Sequence, residues 1–101
     1  MTNEANALIA TKLCGYQVQV SPAGKYYIVT DEGTKPLPDF EVDAAETLST
    51  VEALCKSRSW HINTYRVDRG YRSLIEGVLG HGNTITAAIS QSLLRLAERE
   101  Q

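Results

Sequence analysis

Five cationic side chains, Lys56, Arg58, Arg66, Arg69 and Arg72, fall between positions 56 and 72 with Asp68 as the only acid among them. If they share a face, they attract an anion. A solvated sheet face uses arginine for solubility as well, so the cluster alone does not choose between ligand and water. A few residues on, Gly80-His81-Gly82-Asn83-Thr84 precedes a helical pattern, where glycines let free backbone amides approach a phosphate or carboxylate at the positive end of the helix dipole. The string is not a P-loop, lacking Gly-Lys-Ser/Thr, and not a dinucleotide fingerprint, lacking the third glycine and the βαβ setting. A plain loop before a capped helix is the simpler account of it. Tyr16, Tyr26, Tyr27, Trp60, Tyr65 and Tyr71 alternate with Lys25, Arg66, Arg69 and Arg72, a pairing that serves base stacking with phosphate holding, or cross-strand packing. The candidate ligand set is Tyr65, Arg66, Arg69 and Arg72 with His81, Gly82, Asn83 and Thr84, suited to an anionic nucleotide.

Other chemistry finds little support. His61, His81, Cys14 and Cys55 have none of the short spacings that converge on a metal, and no cofactor motif is present. No G-x-S-x-G or S-x-x-K string supplies a nucleophile. Asp39 with Glu41 or Asp43 could serve acid-base chemistry, but a loop-then-cap role explains them more simply. The two cysteines lie in apolar helical contexts and read as small core residues. A non-enzymatic protein without metal, cofactor or catalytic residues is the expectation.

The elements that must position these residues follow from periodicity. Ala5, Leu8, Ile9 and Leu13 fall at helical spacing behind a Thr2 or Asn3 cap, and Gly15 suits a left-handed C-terminus, so residues 3–14 form a helix. Residues 16–20 and 25–30 alternate as strands around the Ser21-Pro22-Ala23-Gly24 turn. Pro36 and Pro38 keep Lys35 to Phe40 irregular, with Leu37 and Phe40 pinned to the core. Asp43 caps a helix over 43–57 with Glu46 three residues on, and its buried stripe is Ala44, Leu48, Val51, Leu54 and Cys55. A hairpin over 60–67 and 71–76 turns at Asp68-Arg69-Gly70. Residues 77–83 are a loop, and 84–98 form the last helix with Ile85, Ala88, Ile89, Leu93, Leu96 and Ala97 inward. The order α-β-β-α-β-β-α predicts one α+β domain over 1–101, an α-β-α layered sandwich of three helices on one mainly antiparallel four-stranded sheet.

That order resembles the phage ABA-sandwich domain family. The resemblance rests on a first helix ending Leu13-Cys14-Gly15-Tyr16, Pro38-Asp39-Phe40 before the second helix, the aromatic hairpin opening at Trp60 and closing through Tyr71, and Asn83-Thr84-Ile85-Thr86-Ala87-Ala88-Ile89 at the start of the last helix. It implies a bacteriophage or prophage origin and hence the cytoplasm of an infected bacterium, and it carries no general activity.

At 101 residues, 43% of them apolar, the chain can build one modest core. No apolar run approaches a membrane span, and the polar start lacks the pattern of a secretory signal. The net charge of −2 hides an uneven distribution: three lysines against eight acids over residues 1–55, seven Lys or Arg against four acids over residues 56–101. Such an acidic total disfavours nucleic-acid binding, which needs a domain-scale basic surface. The expected function is sequestration of a nucleotide-type signal of bacterial antiviral defence, of the kind used by CBASS and Thoeris, by a sponge-like homo-oligomer. The alternative is a protein-interaction module that inhibits a host protein or serves as a phage accessory or structural component.

Overall fold

The computed structural model describes residues 1–100. Helix α1 (Asn3–Leu8) is capped by Thr2, whose hydroxyl accepts from the Ala5 amide at 3.1 Å, and its axis runs on through a π-helical turn, Ile9–Leu13. That turn closes with Cys14 N–H donating to the Ile9 carbonyl, and Gly15 then leaves the helix at φ 73°. Strands β1 (Gln17–Val20), β2 (Tyr26–Thr30) and β3 (Gly33–Pro36) follow, then α2 (Ala44–Arg58), β4 (Ile62–Val67), β5 (Gly70–Ile75), β6 (Val78–Gly82) and α3 (Ile85–Arg99).

The expected four-stranded sheet is replaced by two separate three-stranded antiparallel sheets, ordered β1-β2-β3 and β4-β5-β6. Each is a meander that gains a third strand from a segment the sequence predicts to be irregular. β3 tolerates Pro36 because it is an edge strand, where a missing N–H breaks no ladder; Pro36 stands opposite Tyr27. β6 occupies the predicted loop: Glu76 and Gly77, at φ 48° and 77°, close a two-residue turn that pairs Ile75 with Val78. Its glycines serve packing. A Cβ on Gly80 would stand 2.2 Å from the Ala88 carbonyl oxygen, so only glycine lets β6 lie this close to α3.

The helices pack on one another, α3 carries β5 and β6, and the π-helical turn carries β1. The core gathers Ile9 and Leu13, Ile28, Phe40, Val51 and Leu54, Ile75 and Val78, and Ile89 and Leu93. On α2 the buried stripe is Thr47, Val51 and Leu54; the predicted core residues Ala44 and Leu48 are exposed, Leu48 at 52%. The reason is Phe40. Its peptide is buried where the proline segment crosses the domain, and its groups need partners: the Asn6 Oδ1 accepts from its N–H at 3.0 Å and the Thr47 hydroxyl donates to its carbonyl at 2.6 Å. Turning Thr47 inward turns Leu48 out. Ile85 at the start of α3 is likewise exposed, whereas Ala88, Ile89, Leu93, Leu96 and Ala97 are buried as expected.

Candidate functional site

The register of β4-β5-β6 decides which candidate side chains meet. Tyr65 stands opposite Arg72, and Arg72 opposite His81, so these three form one row across the sheet on the face away from α3. Leu74 and Leu79 form the adjacent row, 39% and 40% exposed. Arg66 is placed differently. It pairs with Tyr71, whose strand neighbour Ser73 is buried against α3, and so belongs to the opposite face. Arg69 sits in the hairpin turn. The predicted crowding of five cations therefore dissolves into separate roles. Lys56 pairs with Glu52 one helical turn away at 3.3 Å. Arg58 pairs with Glu100, lies 5.2 Å over the Trp60 ring and reaches the Lys12 and Leu13 carbonyls. Arg66, Arg69 and Arg72 form no ion pair among the described residues.

His81, Gly82, Asn83 and Thr84 line an open cleft of about 450 Å³ where β6 hands over to α3. Thr84 caps α3, its hydroxyl accepting from the Ala87 amide at 3.0 Å. The Gln91 Oε1 accepts from the His81 backbone amide at 2.6 Å. The far wall is Met1, Glu41 and Val42, where the Met1 amino group lies 3.7 Å from both the Asp39 and the Glu41 carboxylates. Ala87, Gln91 and Leu94 complete the lining and escape a motif search. Their signal is present all the same: Thr84, Ala87, Gln91 and Leu94 recur at spacings of three and four, one stripe along α3. The structure thus unites Tyr65, Arg72 and His81 in a row and joins Gly82, Asn83 and Thr84 to its His81 end, leaving Arg66 and Arg69 off it.

A second, smaller hollow of about 170 Å³ holds Cys14 beside Glu46 and Thr50. Burial pushes the Cys14 thiol up to about 11, only partly offset by the Thr50 hydrogen bond, with Glu46 raising it further and Arg58 lowering it. The thiol stays protonated at neutral pH and is a poor nucleophile there. Among the described residues no group of three or more His, Cys, Asp or Glu could hold a metal ion. No described helix is long and apolar enough to cross a membrane.

No family model, curated protein or solved structure matches the chain.

Proposed function

We propose that this chain is a non-enzymatic binding protein for a small anionic, nucleotide-like molecule. Taken with the resemblance of its local motifs to those of phage ABA-sandwich domains, this reading makes it a sponge for a nucleotide signal of bacterial antiviral defence. The observation that carries this reading is the row Tyr65, Arg72, His81, whose last member also lines the cleft with Gly82, Asn83 and Thr84. A guanidinium without an acid partner among the described residues offers a planar, bidentate donor for phosphate, and a half-exposed tyrosine two strands from the cleft offers a stacking face for a base. The cleft volume lies within the few hundred cubic ångströms usual for small-ligand sites.

The test is a thermal-shift screen of the full chain against cyclic dinucleotides and adenosine-diphosphate-ribose derivatives, followed by heat release and chromatography of the ligand. A ligand that raises the melting temperature and returns intact supports sequestration; one that returns altered identifies an enzyme. Arg72→Ala should keep the unliganded melting temperature and lose the ligand-induced rise. A binder unaffected by Arg72→Ala would move the site elsewhere.

A second reading, a protein-interaction module, draws on Leu74 and Leu79 exposed side by side on the same outer face. Its mark would be a stable complex with a host or virion protein that Leu74→Ser with Leu79→Ser abolishes while nucleotide binding persists.

A further inference from the structure

The outer edges of the β4-β5-β6 sheet are treated in opposite ways. Along β6 the outward backbone groups are taken up by α3: Gln91 accepts from the His81 amide at 2.6 Å and Arg95 donates to the Leu79 carbonyl at 2.7 Å. Along β4 nothing comparable occurs among the described residues. Glu76 N–H donates to the His61 carbonyl, and antiparallel alternation then assigns Asn63, Tyr65 and Val67 to inward bonding with β5. Ile62, Thr64 and Arg66 therefore turn their N–H and C=O groups outward. The edge is six residues long against four in β1 and β3, contains no proline or lysine, and is exposed from Ile62 through Arg66. Short length, proline and lysine are blunting devices by which edge strands normally avoid pairing, and β4 has none of the three.

We propose that β4 is a self-association edge, pairing antiparallel with β4 of a second copy of this chain about a two-fold axis at Thr64. The sequence of the strand fits itself in that register. Thr64 meets Thr64 of the partner and exchanges a pair of backbone bonds, Ile62 and Arg66 exchange a pair on either side, and Asn63 lies beside Tyr65. The charges agree with this arrangement and oppose a parallel one. Arg66 faces the aliphatic Ile62 instead of its own copy, and the Asp68-Arg69 turn of each chain lies beside the other's His61 end, where the Glu76 carboxylate accepts from the His61 amide at 3.1 Å. In a parallel pairing the two Arg66 guanidinium groups would stand side by side. The two sheets become one six-stranded sheet, and the Tyr65, Arg72, His81 rows of both copies come onto one continuous outer face.

This interface is independent of the ligand reading and uses residues other than Arg72. Sedimentation of the full chain should give a species of twice the 11.1 kDa chain mass that dissociates on dilution. Thr64→Lys and Thr64→Glu each place a like charge against itself and should sediment as monomers, whereas an equimolar mixture of the two should recover the dimer. Hydrogen exchange on the wild type provides a check that needs no variant. The Ile62, Thr64 and Arg66 amides should exchange slowly at high chain concentration and rapidly after dilution. A wild type that stays monomeric at hundreds of micromolar would overturn the proposal. So would a dimer that both variants retain, or one in which those three amides stay unprotected.

Discussion

Thr47 and Leu48 are neighbours on α2 with opposite fates, one sealed against the Phe40 carbonyl and the other half in solvent. Removing the hydroxyl by Thr47→Val leaves a buried carbonyl without its donor and should cost about 1–3 kcal/mol. Leu48→Ala should stay within about 0.5 kcal/mol, as expected of a surface change. Ile89→Ala, in the core, should cost about 2–5 kcal/mol. Urea denaturation of the three variants checks the ordering, and a large loss at Leu48 would place α2 in the wrong rotation. Cys14 gives a pH signature. Its thiol ionises near 11 in the folded chain against 9.0 when unperturbed, so the folded state binds the proton more tightly. The stabilisation is complete below pH 9 and is lost as pH rises towards 11. Cys14→Ala should flatten that alkaline slope relative to wild type in urea midpoints measured from pH 7 to 11.

Between elements, the close approach of β6 to α3 decides the shape of the site. Ser73 and Ser92, both fully buried, share a hydrogen bond of 2.7 Å between their hydroxyls across β5 and α3, and Gly80 lies against the same helix. Gly80→Ala would drive a methyl group into the Ala88 carbonyl and should cost at least about 1–3 kcal/mol, with β6 displaced from α3. Ser73→Ala leaves the Ser92 hydroxyl weakly partnered, so the double change with Ser92→Ala should cost less than the two single changes added together. A double-mutant cycle by thermal melting reads that coupling. Strict additivity would mean that the two hydroxyls are satisfied independently.

At the scale of the whole molecule, the two sheets are held unequally. The β4-β5-β6 sheet buries Ser73, Ile75, Val78 and Gly80 against α3, whereas in β1-β2-β3 only Ile28 is fully buried. Local opening follows local burial, so backbone exchange should be slowest in α3 and β5 and faster throughout β1 and β3. Uniform protection across both sheets would contradict the division. What the sequence determined by itself were features carried by local chemistry: the cap at Asp43, a cap at Thr2 or Asn3 that the structure places on Thr2, the turns at Gly24 and Asp68-Arg69, the helices and the first two strands of each meander. What only the tertiary structure decided lay where distant groups set the role. Glycines in β6 look like a loop until a helix lies against them, and Pro36 excludes a central strand but not an edge. Likewise, five neighbouring cations look like one site until Glu52 and Glu100 engage two of them and strand alternation sends Arg66 to the face opposite Arg72. Spacing along a chain fixes which face of its own element a side chain occupies; which faces meet, and which charges are already paired, depends on contacts that spacing does not contain.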